Sequence, residues 1–183
     1  ITGWPDYAWW DGEPDYHYWV DRQVNVNNGY AWEPLSIGVA TFDAYDYDGS
    51  FYPNASTRTF GADTLTSKHI YLDTLASDSV YLSFYYQPGG LGDAPERNDS
   101  LVVQFWSPPD TAWYSVHQIK GSPNQAFRPV MIPVTQEKFL QPGFRFRFIG
   151  YASLSKALEL SLVANADHWH IDFVYLNKDR NYQ

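Results

Sequence analysis

The chain has 183 residues, no cysteine, and 12 basic against 21 acidic side chains, a formal net charge of −9. That length suits one medium domain able to bury a core without staples, and the missing cysteine excludes disulfides. An acidic field without a compensating Lys/Arg cluster argues against nucleic acid as partner, and no run approaches the ~18 apolar residues of a membrane-spanning helix.

Residues 1–16, ITGWPDYAWWDGEPDY, hold two prolines, two glycines and no sustained period. They predict an irregular N-terminal arm carrying Trp4, Trp9 and Trp10, packed over the domain or displayed to a ligand. The chain begins at Ile1 rather than Met, as a processed or excised segment would.

From there short alternating runs recur. YHYWVDRQVNV (16–26) and LSIGVATF (35–42) come first. SVYLSFYYQ (79–87) puts Val80, Leu82, Phe84 and Tyr86 on one face, and SLVVQFW (100–106) does the same with Leu101, Val103 and Phe105. WYSVHQI (113–119) and RPVMIPV (128–134) follow. In FRFRFIG (144–150) Phe144, Phe146 and Phe148 point one way, Arg145 and Arg147 the other. LELSLV (158–163) and HWHIDFVYL (168–176) close the series, the latter with Trp169, Ile171, Phe173 and Tyr175 as its core face. TQEKFLQ (135–141) has room for one helical turn at most.

Many short strands without an amphipathic helix predict a single all-β domain over residues 1–183, a two-sheet antiparallel β-sandwich of jelly-roll type. Eight Trp, fifteen Tyr and eleven Phe suit such sheets, and also suit surfaces that stack on sugar rings. Two connections, 43–67 and 88–100, are longer than a compact domain requires and are expected to carry function.

Three groups of residues are candidates for chemistry. In FDAYDYDG, Asp43, Asp46 and Asp48 precede Gly49, an arrangement that offers several oxygens to a hard cation such as calcium. It is not an EF-hand, because Ala44 and Ala55 stand at the first and twelfth positions of that register. His168, His170 and Asp172 share one face of the last run, and His-x-His on a strand can chelate a transition metal. Trp9, Trp10, Trp32 and Trp106 are the candidate ligand-binding rings. No nucleophile elbow, phosphate loop or dinucleotide fingerprint occurs, which makes enzyme the minority reading.

The segments IGVATFDAYDYDG, ADTLTSKHIYL, DSVYLSFYYQPGGLGDAPERNDSLVVQF and DHWHIDFVYLN together resemble a domain of secreted Bacteroidota proteins associated with gliding motility and type IX secretion. The last is also similar to the closing strand of MAM-like jelly rolls, in which an aspartate at the place of Asp172 often helps hold a structural calcium. Phe173 replaces the second aspartate of that pattern. The resemblance implies export, an extracellular or cell-surface position, and a sandwich of concanavalin/MAM-like or galactose-binding-like type. It also implies Bacteroidota-type O-glycosylation triplets starting at Asp63, Asp73, Asp78, Asp99 and Asp110.

The leading expectation is therefore a non-catalytic, exported surface module that binds a glycan. Trp9, Trp10, Trp32 and Trp106 would be its platforms, and Asp43, Asp46, Asp48 and Asp172 would hold a structural calcium. The alternatives are an adaptor for a secretion or motility protein, and a metal-dependent hydrolase using His168 and His170.

Overall fold

The computed structural model describes residues 12–154 and 167–181. The strands are β1 (Asn25–Asn27), β2 (Val39–Phe42), β3 (Phe60–Thr66), β4 (Ile70–Tyr71), β5 (Tyr81–Pro88), β6 (Ser100–Ser107), β7 (Ala112–Lys120), β8 (Arg128–Pro133), β9 (Pro142–Ala152) and β10 (Trp169–Asn177). One turn of 3-10 helix spans Ala76–Asp78. The first sheet has the order β1-β2-β10-β5-β8, the second the order β3-β9-β6-β7 with β4 beside β9. All strand pairings are antiparallel. Without the two short strands, the orders 2-10-5-8 and 3-9-6-7 are those of a jelly roll, in which consecutive strands pass between the sheets except at the β6–β7 hairpin.

The alternating runs place the core. Leu82 and Phe84 of β5 meet Leu101, Val103 and Phe105 of β6 and Phe144, Phe146 and Phe148 of β9, all essentially inaccessible. Phe84 and Phe148 join the sheets edge to face at 5.0 Å, and Phe105 and Phe144 pack the same way at 5.3 Å. Each such ring contributes roughly 2–3 kcal/mol by leaving water, so Phe148→Ala is a change of about 3–5 kcal/mol. Trp169 and Ile171 join this core as their alternation predicts.

Several expectations are corrected. Within 16–26 only the last residues enter a strand, and Trp19 makes a single antiparallel bridge to Ser67. Asp15 instead turns the chain, its carboxylate accepting from the His17 N–H and its carbonyl from the Trp19 N–H. Residues 35–38 stay outside β2 because Ser36 is bonded to Asp172 and Gly38 takes a positive φ of 87°. The connection 43–67 contains β3, a strand masked in the sequence by its buried polar Asp63. The 135–141 segment, by contrast, stays within the single turn expected of it, with hydrogen bonds from the Phe139 N–H to Gln136 and from the Leu140 N–H to Glu137. The run 158–163 lies outside the described residues.

The closing strand carries the largest correction. Between Asp172 and Tyr175 its register against β5 slips by one residue, with Phe173 at φ 51°. The bulge exchanges the two faces. Val174 and Leu176 pack on the core, while Phe173 and Tyr175 are 52% and 40% exposed.

Candidate functional site

Because Leu101, Val103 and Phe105 point inward, the alternate residues of β6 face out of the second sheet. The same alternation turns Arg145 and Arg147 of β9 outward. Register sets them in two rows across the sheet, Arg145–Trp106–Trp113 and Arg147–Gln104–Ser115. Trp106 and Trp113 flank the β6–β7 turn and lie 5.4 Å apart, tilted by 58°. Arg147 reaches across β6 to put its guanidinium carbon 4.3 Å from the Trp113 ring centre, and Arg145 lies 5.1 Å from Trp113 and 5.4 Å from Trp106. The Arg147 Nε–H donates to Gln104 Oε1 at 2.8 Å, and the Gln104 amide donates to the Ser115 hydroxyl at 3.0 Å. Burial lowers the Arg147 pKa and the nearby Arg145 charge adds to this, while Tyr151 and Asp21 raise it.

Towards the start of β6 this face opens into a shallow cleft of about 560 Å³, whose lining includes Thr59, Asn98, Ser100, His117, Gln118 and Tyr151. Ser115 belongs to both the cleft and the second row. None of the side chains lining the cleft or forming the rows is a carboxylate, although the chain carries 21. Planar rings, planar donors and hydroxyl-bearing partners on an open sheet face can contact a sugar through its C–H groups and its hydroxyls together.

Of the rings predicted from the sequence, Trp9 and Trp10 lie outside the described residues. Trp106 is on this face but is half-buried beneath guanidinium rather than bare. Trp32 sits elsewhere, on the loop before β2, and is 47% exposed. Its backbone is clamped by the buried Gln87, which accepts from the Trp32 N–H at 2.7 Å and donates to its carbonyl at 2.8 Å. Trp113, Arg145, Arg147 and the cleft were not anticipated as site residues. The outward arginines are visible in the alternation of β9, and Trp113 would follow from pairing Trp106 across a hairpin at 107–112.

The four aspartates do not converge. Asp43, Asp46 and Asp48 each accept a nearby loop N–H, from Tyr45, Tyr47 and Ser50. Burial pushes Asp43 up to about 6, against the pull of the Tyr45 N–H, whereas the Ser50 bonds hold Asp48 below its usual range. Asp63, rather than Asp172, is the carboxylate bonded to Asp43: its Oδ2 accepts from the Asp43 N–H at 2.8 Å and its Oδ1 from the Tyr52 hydroxyl at 2.6 Å. Burial, with the Asp43 charge, pushes Asp63 up to about 8. Asp172 is buried and accepts from the Ser36 N–H and hydroxyl and from the Phe173 N–H. Those bonds tie the closing strand to the loop before β2, and the donor set of Asp43, Asp46, Asp48 and Asp172 does not fit one shared calcium.

His170 is fully buried, and both ring nitrogens have partners. Nε2 lies 3.1 Å from the Gly89 carbonyl, which only accepts, so this nitrogen carries the proton. Nδ1 then accepts from the Thr41 hydroxyl at 3.0 Å. Burial holds the ring neutral, pushing its pKa down to about 4. Gly90, at φ 61°, lets the backbone pass, since a Cβ there would meet Nε2 at 2.6 Å. The His168 ring stacks on Tyr30 at 5.5 Å.

Among the described residues, the one group of three potential metal ligands that share a point is Glu96, Asp99 and Asp167. Asp99 and Asp167 are buried and accept from the Ser153 hydroxyl and N–H. Burial and the neighbouring carboxylates push Asp167 up to about 9, against the pull of the Ser153 N–H.

No family model matches the chain and no curated protein does. Similar solved structures include a carbohydrate-binding module specific for non-crystalline cellulose, CBM28, at 12% identity over 86% of this chain and 81% of that one, with a TM-score of 0.44. A family 16 carbohydrate-binding module is similar at 12% identity over 91% of each chain, with a TM-score of 0.41. A putative glycoside hydrolase from Bacteroides thetaiotaomicron is similar at 10% identity, over 88% of this chain and 58% of that one, with a TM-score of 0.45. Likenesses at this level carry no statement about ligand or activity here.

Proposed function

We propose that the chain is a non-catalytic β-sandwich that binds a glycan through the outward face of its second sheet. The observation that supports it is the composition of that face: two tryptophans, two arginines and a polar cleft, with no carboxylate in the cleft lining or in the two rows, in a protein of net charge −9. An extracellular or cell-surface position, reached by export, belongs to the same proposal, because that is where polysaccharide ligands are met. Affinity electrophoresis through gels containing soluble polysaccharides tests it. Retardation of the wild type, lost in the Trp106→Ala/Trp113→Ala double variant while folding is retained, is the expected result. Equal retardation of both proteins overturns it.

A second reading, an adaptor that binds another protein, is favoured by a different surface. The bulge at Phe173 brings Phe173 and Tyr175 out beside Tyr85 on the first sheet, where Tyr85 and Phe173 pack edge to face at 6.2 Å. Co-purification of a stoichiometric partner, lost in Phe173→Ser, tests that reading.

A further inference from the structure

The glycan face has a feature that a neutral sugar does not require. Arg145 and Arg147 are both turned outward, and neither makes an ion pair among the described residues, where the ion pairs are His17–Asp15, Arg22–Glu13 and Lys138–Asp110. Arg145 Nε is buried without a hydrogen-bond partner. Arg147 has one such bond, to the neutral Gln104. Two like charges two residues apart on one strand repel each other, and Asp21 offsets this for Arg147 only from beyond ion-pair distance, so a counter-charge bound at the face would recover free energy.

The guanidiniums are also held in place. Arg147 is fixed between the Trp113 ring and Gln104, and Arg145 lies against both tryptophans. A planar fork fixed on an aromatic surface binds a carboxylate or sulfate with less loss of freedom than a solvated side chain does. The same stacking places cations over the tryptophans, so the face offers less bare ring to a neutral sugar. The overall charge of −9 does not forbid an anionic ligand, because at physiological salt the field decays over ~8–10 Å, no carboxylate lines the cleft or forms the two rows, and Asp21, whose charge is felt by Arg147, makes no ion pair with it.

We propose that the ligand of this face is an anionic polysaccharide, its carboxylate or sulfate groups received by Arg145 and Arg147. This rests on the reading of the face as a glycan site.

Isothermal titration of the full chain tests it, with polygalacturonate against its methyl ester and a sulfated galactan against the same polymer desulfated. The expected result is at least about tenfold tighter binding of one or both charged polymers than of its neutralised form. The polymer that shows the difference identifies carboxylate or sulfate as the group bound. Arg147→Gln and Arg145→Gln are expected to remove that preference. Arg147→Lys, which keeps the charge and loses the fork, is expected to reduce it in part. Because the contrast lies in the ligand, it stands even if a variant fails to fold. Equal binding of charged and neutralised polymers overturns the inference and leaves the glycan reading intact. Binding of none of the four also overturns the inference, and the glycan reading then stands or falls by the electrophoresis. Single-stranded DNA bound as tightly as the charged polymers also overturns the inference, by showing charge recognition without sugar.

Discussion

Arg147 on β9 reaches across β6 to lie 4.3 Å from the centre of the Trp113 ring on β7, although its partner in register is Gln104. One side chain thus spans three strands and fixes the surface at the middle of the second sheet. The pair is expected to couple by about 1 kcal/mol. In a double-mutant cycle of Arg147→Ala and Trp113→Ala, followed by urea unfolding, the two losses should add to more than the loss in the double variant.

Phe173 has positive φ and is 52% exposed, so its ring contributes little to the core and its backbone is strained. Phe173→Gly is expected to change stability by less than about 1 kcal/mol, because relief of strain offsets the freedom gained by the unfolded chain. Phe173→Val, β-branched at the same φ, is expected to cost more. A core position would show the reverse order, with glycine losing about 3–5 kcal/mol, and thermal unfolding distinguishes the two.

The buried carboxylates give a pH dependence of definite sign. Asp63 and Asp167 have folded pKa values near 8 and 9, above their ordinary value of 3.8. Between those limits the folded state holds protons that the unfolded state has released, so stability falls as pH rises. The cleanest window is pH 6.5 to 8.5, above Asp43 at about 6. A fall in Tm of several degrees is expected across it. Asp63→Asn mimics the protonated acid, donating to the Tyr52 oxygen and accepting from the Asp43 N–H, and should flatten the fall.

His170 acts in the opposite sense at lower pH. Its folded pKa is near 4 and its ordinary value is 6.5, so below pH 6.5 the unfolded chain takes up a proton that the folded chain refuses. Stability contributed by neutral His170 is present above pH 6.5 and is lost towards pH 4. His170→Phe removes this contribution and leaves the Gly89 carbonyl without its donor, at a cost of about 2–4 kcal/mol at pH 7. Chemical denaturation of wild type and variant at pH 5 and pH 7 checks it: the gap between them should narrow at the lower pH.

The two sheets were legible because β5, β6 and β9 alternate cleanly: Leu82 and Phe84, Leu101 to Phe105, and the three phenylalanines of β9 leave one assignment of faces. The closing strand was legible only as far as Asp172. Beyond it a bulge reverses inside and outside, and nothing in the local residue types marks a positive φ at a phenylalanine. β3 was hidden because its buried Asp63 depends on Tyr52 and Asp43, partners that only the fold brings near. For the site, Trp106 was singled out from the sequence as one ring among eight tryptophans. Its neighbours were missed because Arg145, Trp113 and Arg147 belong to two other strands, and their contact is a property of register. His168 and His170 looked like ligands by spacing, yet His170 is engaged by Thr41 and Gly89, residues far away in sequence.

A two-dimensional 1H–15N titration with an oligosaccharide of a polymer the chain retains tests whether a glycan binds the outward face of β3-β9-β6-β7. Shifts of the Trp106 and Trp113 indole N–H signals, with backbone amides of β6, β7 and β9 moving alongside them, are the expected result. Shifts confined to Trp32 and the loop before β2, with those two indoles unmoved, would contradict it.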